Sequence, residues 1–112
     1  MDAAAVLAEL IAVSSEIKRA ALVDPTGLVL AATTTTDGER LSKAAAELFD
    51  AAPSTAVAVA YVEVGLALGS VFAVRDGRRV AVATTGPEPA SALVLHDLHT
   101  LLRQFVREAA DA

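Results

Sequence analysis

The stretch Ala20-Ala21-Leu22-Val23-Asp24-Pro25-Thr26-Gly27-Leu28-Val29-Leu30-Ala31 decides how this chain is read. Two short apolar runs flank the turn Asp24-Pro25-Thr26-Gly27. Pro25 presets the first central turn position, and Gly27 can supply a positive φ. The combination predicts a β-hairpin with strands at 20–24 and 28–32. The residues outside it supply further strands and helices but almost no catalytic inventory.

Upstream, residues 3–17 are predicted as a helix. Val6, Leu10, Val13 and Ile17 recur at spacings of three or four, widened by Leu7 and Ile11. Lys18 and Arg19 then complement the C-terminal end of its dipole. Downstream, Thr33 to Asp37 leaves the sheet. Thr36 or Asp37 is expected to cap a second helix over 38–51, whose stripe is Leu41, Ala44, Ala45 and Leu48. Pro53 closes it.

A three-strand meander follows at 55–64, 68–75 and 78–84. Gly65 and Gly69 bracket its first corner, and Asp76-Gly77 marks a two-residue hairpin. Residues 88–109 are predicted as the last helix, with Val94, Leu98, Leu101, Leu102 and Phe105 buried and Leu95 and Val106 alongside. Pro87 and Pro89 are tolerated only at its start. The expected order is α-β-β-α-β-β-β-α in a single domain, 1–112.

The first meander strand is apolar on both sides. Val57, Val59 and Tyr61 point one way; Ala58, Ala60, Val62 and Val64 point the other. A sheet with one wet face alternates more clearly. The pattern therefore calls for helices on both faces or cover from another subunit. Glu63 is the polar exception and is read as an exposed strand-end charge, since an inward carboxylate is costly unless paired.

Composition narrows the function. The chain has 112 residues, 54% of them hydrophobic, a formal charge of -5 and no cysteine. Alanine inflates the apolar share and lets helices approach a sheet closely. No apolar run has the roughly 18–20 residues that span a bilayer, and the start does not read as a signal peptide. Net acidity disfavours unspecific binding to nucleic acid or anionic membrane. A cytoplasmic protein without direct membrane insertion is expected.

No GxGxxG or GxxxxGK spacing cradles a phosphate, so nucleotide binding by this chain is not expected. His96 and His99 lie three apart beside Asp97, but neither a third ligand nor an HExxH pattern accompanies them. They are read as a polar helix shoulder. Ser14, Ser15 and Ser42 have no evident base with an orienting acid. We therefore expect no catalytic residues, no cofactor and no metal. Arg75, Arg78 and Arg79 bracket a hairpin tip without the interleaved aromatics that stack on bases. They are candidates for contact with an acidic partner.

The amphipathic first helix, the hairpin Ala21-Leu-Val-Asp-x-x-Gly-Leu-Val-Leu-Ala31, the middle helix around Leu41–Leu48, the meander and the leucine-rich last helix together resemble the roadblock/LC7 family and its MglB-like bacterial members. Profilin-like, PAS and GAF folds share parts of this layout. The resemblance implies an α/β sandwich with a five-stranded antiparallel sheet in the order 2-1-5-4-3. Helices 1 and 3 would cover one face and helix 2 the other.

The resemblance also implies a homodimer in which third strands pair and second helices lie side by side. Leu41, Ala45, Leu48, Val57, Val59, Tyr61 and Glu63 are the expected interface. The implied function is a non-enzymatic regulator or scaffold that binds a Ras-like small GTPase. No arginine finger can be placed. The alternatives are a small-molecule-sensing domain of the PAS, GAF or profilin-like type, and a purely structural assembly protein.

Overall fold

The computed structural model describes residues 3–24, 26–51, 61–76 and 79–111. Helix α1 spans Ala3–Val13 and buries Val6, Leu7 and Leu10. It ends four residues earlier than the apolar periodicity predicts. The Ser14 amide donates to the Leu10 carbonyl at 2.9 Å. The Ile17 amide then donates to Ser14 Oγ at 3.2 Å, which turns the chain out of the helix.

Ile17 therefore opens strand β1, Ile17–Val23, and Lys18 and Arg19 are exposed strand residues rather than a helix terminus. A ladder to a neighbouring strand, bulged between Ile17 and Arg19, outweighs one further helical turn, because it satisfies backbone groups along the length of the strand.

The hairpin forms as expected, with β1 paired to β2, Val29–Ala32. Gly27 takes φ 91°, the conformation only glycine enters freely. Asp24 organises the turn. Its Oδ1 accepts from the Thr26 amide at 2.8 Å, the Thr26 hydroxyl at 2.7 Å and the Leu28 amide at 2.9 Å. The Thr26 hydroxyl, foremost among these donors, holds the Asp24 carboxyl below its ordinary pKa.

Helix α2 spans Thr35–Ala51. Its cap is Thr34, not Thr36 or Asp37: the Asp37 amide donates to Thr34 Oγ1 at 3.0 Å. Asp37 sits in the first turn instead. Gly38 lets the helix lie close on β2, since a Cβ there would stand 3.0 Å from both Ala32 Cβ and Val29 Cγ1.

The meander consists of β3, Tyr61–Leu66, β4, Gly69–Asp76, and β5, Arg79–Thr85. The second and third strands start one residue later than expected. Asp76 pairs with Arg79, so the second hairpin closes one residue further along. The expected start of the first strand, with Val57, Val59, Ala58 and Ala60, lies outside the described residues. At the β3–β4 corner the two glycines differ. A Cβ on Gly69 would collide with the Thr85 carbonyl oxygen, whereas one on Gly65 would stand 3.9 Å from Ser70 Oγ.

Helix α3, Ser91–Asp111, begins three residues later than predicted, because Glu88 at φ 55° turns the chain between the two prolines.

The sheet is antiparallel in the order β2-β1-β5-β4-β3. Alternation along the strands separates two cores. Leu22, Phe72, Val74 and Ala83 meet α1 and α3 on one face, through Val6, Leu10, Leu98 and Leu102. Ala21, Val23, Ala73 and Val82 meet Leu41 and Ala45 of α2 on the other. Each fully buried Leu, Val or Phe contributes about 1.5–3 kcal/mol. The expected architecture, strand order and placement of helices are all observed.

Candidate functional site

Strand β3 forms one margin of the sheet and hydrogen-bonds only to β4 among the described strands. Its outward peptide groups are a template for another strand. Register settles its faces. Tyr61 and Glu63 stand opposite Val74 and Phe72, on the α1/α3 side; Val62 and Val64 stand opposite Ala73 and Val71, on the α2 side. Tyr61 is 52% exposed and Leu66 63%. Glu63 is exposed, as expected, and accepts a 2.7 Å hydrogen bond from Ser91 Oγ at the start of α3.

Helix α2, which packs on β1, β2 and β5, carries the other expected interface residues and exposes them unequally. Leu41 and Ala45 are 7% and 3% exposed and turn into the protomer's own core. Leu48 is half-buried, while Glu39, Arg40, Lys43 and Glu47 are exposed. An outer surface on α2 is thus polar, with Leu48 at its boundary.

A polar cluster fastens the start of α2 to the sheet. Arg19 Nη1 donates to Asp37 Oδ1 at 2.8 Å and to Oδ2 at 3.1 Å. Thr33 Oγ1 donates to Asp37 Oδ2 at 2.8 Å. The Thr33 bond, then the Arg19 hydrogen bond and charge, hold the Asp37 carboxyl below its ordinary pKa against the opposing effect of burial. The Thr34-x-x-Asp37 spacing was the sequence signal for this first turn. Nothing local pointed to Arg19. Further along, Ser42 Oγ donates to the Gly27 carbonyl at 3.0 Å, which ties α2 to the first hairpin.

The arginines at the β4–β5 end are stacked. The Arg75 guanidinium lies 4.4 Å from the centre of the Phe49 ring on α2. That of Arg79 lies 4.9 Å from the centre of Phe105 on α3. Both are half-buried. Arg78 lies outside the described residues. The two stacked arginines thus brace one helix on each face.

An open cleft of about 430 Å³ lies beside Arg75, between α2 and the sheet, floored by Val23, Ala45, Phe49 and Val80. Alanines at 45 and 46 leave it unfilled. On α3, His96 is exposed and His99 half-buried. Among the described residues no three His, Cys, Asp or Glu gather into a metal-binding group, and no helix is long and apolar enough to cross a membrane.

No protein-family profile matches the chain, and no curated protein matches it either. Solved structures do. A roadblock/LC7 domain from Streptomyces avermitilis superposes with a TM-score of 0.84 at 17% identity, covering 100% of both chains. MglB from Thermus thermophilus, described as a gliding protein, gives 0.74 at 17% identity over 98% of this chain and 90% of that one. MglB from Myxococcus xanthus gives 0.66 at 13% identity, covering 98% and 93%. With the strand order and the two-sided helix placement, these likenesses show that the chain has the roadblock/LC7 fold, in the form that includes MglB.

Proposed function

We propose that the protein is a non-enzymatic homodimer that regulates or scaffolds a Ras-like small GTPase. The observation that carries the reading is the β3 margin. It is a strand with one side unpaired among the described strands, and it bears exposed Tyr61 and Leu66. Such an edge is an aggregation hazard unless something covers it, and a second β3 covers it with the same hydrogen-bond geometry. Val57, Val59, Tyr61 and Glu63 would lie along this seam, with Leu48 and the polar side of α2 beside it. Leu41 and Ala45 would support the seam from within each protomer.

The roadblock/LC7 fold supports the GTPase assignment, through the role its resemblance implies. Arg75, Arg78 and Arg79 are the proposed contacts with acidic residues of the GTPase. With no arginine finger evident, any effect on hydrolysis would come from ordering the partner's own catalytic loops.

Size-exclusion chromatography with light scattering at micromolar concentration is expected to give twice the chain mass, and Tyr61→Asp to return it to a monomer. A wild-type monomer would remove the dimer. Small GTPases encoded beside this protein, loaded with GDP or a GTP analogue, are expected to bind in at least one state. Binding in neither would remove the partner.

The cleft under α2 favours one second reading, a small-molecule sensor. Asp24, Thr26, Ser42, Asp50 and Arg75 line it and are the polar groups that would orient a ligand. A ligand-dependent rise in melting temperature, lost when Ala45→Phe fills the cleft, would favour that reading over the first.

A further inference from the structure

Helix α1 has an outer surface that its position does not explain. Ala4, Ala8 and Ala12 are exposed, and Val13 is 80% exposed. Glu9 is the one polar residue in the helix. A helix apolar on all sides belongs in an interior, whereas one at a surface normally turns polar residues outward.

Beside this surface lies a groove of about 280 Å³ between α1 and α3. Val6, Leu10 and Leu101 form its floor, and Val13 stands at its margin. Among the described residues, the charged ones that line it are Glu9 and Asp97, both acidic. Gln104 Nε2 on α3 donates to Glu9 Oε2 at 3.4 Å, so the Glu9 carboxylate faces α3 at the groove.

We propose that this groove docks an amphipathic helix of a partner protein, with an apolar strip flanked by lysine or arginine. Two packed helices present a trough that a third helix fills through residues at spacings of three and four. The acidic rim selects the flanking charges. It also excludes the two competing occupants. A second copy meeting this face with its own would bring Glu9 and Asp97 against like charges, and an anionic lipid surface would be repelled. The surface is separate from the β3 seam, so one can fail without the other.

The test uses the full chain and a fluorescein-labelled, 18-residue Leu/Lys amphipathic helix, with a Leu/Glu helix of the same pattern as control. The Leu/Lys peptide is expected to bind, by anisotropy at low salt, and the Leu/Glu peptide not to bind. Amide shifts in a ¹⁵N spectrum should concentrate in Ala3–Val13 and in the Asp97–Gln104 part of α3. Together Glu9→Gln and Asp97→Asn should weaken binding about five- to tenfold, as expected for two rim charges. Removing the same charge from α2, by Glu47→Gln and Asp50→Asn, should leave binding unchanged.

Equal loss from the α2 pair would reduce the effect to net charge and overturn the proposal. So would shifts centred on β3 or α2, or binding of both peptides alike. If Val13→Asp dissociates the protein's own oligomer, a second copy covers the groove, and the proposal falls. Thermal melts of each variant confirm that a loss of binding is not a loss of fold.

Discussion

The two faces of the sheet are built to different standards. Of the largest fully buried side chains among the described residues, Phe72, Leu22, Leu98, Leu102, Val6, Val74 and Val94 all lie on the α1/α3 side, and Val82 alone on the α2 side. The thicker face is held by apolar volume. The thinner one sets alanines and valines beneath a single helix and fastens that helix with polar contacts at Asp37, Ser42 and Arg75. Non-directional burial stabilises a layer without fixing its position sharply, whereas hydrogen bonds and ring stacking fix position at small net gain. The difference makes α2 the layer that is most readily loosened.

The contrast is broken most directly by truncating its largest member. Phe72→Ala is expected to lower unfolding free energy by about 3–5 kcal/mol in denaturant titration. Leu41→Ala, the main apolar anchor of α2, should lose about 2 kcal/mol, at the low end for its type. Equal losses from the two would show the faces to be equivalent. Thr34→Ala removes the α2 cap and should cost about 1 kcal/mol. Arg75→Ala removes the Phe49 stack and should cost about 0.5–1 kcal/mol. Hydrogen exchange sharpens both: protection should fall in α2 while α3 is unchanged.

Acid should act on the same thin side. Asp37 and Asp24 have folded pKa values below the ordinary 3.8. Such groups contribute stability that is fully present above the unfolded value and disappears as pH falls through the folded one. A melting series below pH 4 should therefore show a stability loss that Asp37→Asn partly removes.

Where the deciding contacts are local, they were legible in the sequence. Asp24 and Gly27 define their hairpin within four residues, and the leucine spacing of α3 identifies its buried side. Ile17 was misplaced because it continues the spacing of Val6, Leu10 and Val13 and also fits a strand; only its pairing with β5 decides. The cap of α2 was ambiguous because four threonines, Thr33 to Thr36, precede Asp37.

The candidate site was less legible. Tyr61 and Glu63 were placed correctly on the strand, as was Leu48 on its helix. Leu41 and Ala45 carry the spacing of any buried stripe, which does not tell a sheet from a second subunit. The stacking of Arg75 and Arg79 was not legible because Phe49 and Phe105, the rings they cover, lie far away in sequence.

The corner between β3 and β4 has a consequence for variation. At position 69 even a methyl group would strike the carbonyl oxygen of the adjoining strand, while position 65 has room for one. Saturation mutagenesis should therefore leave a single tolerated residue at 69 and several small ones at 65. Over evolutionary time Gly65 is free to drift, and Gly69 is frozen in place.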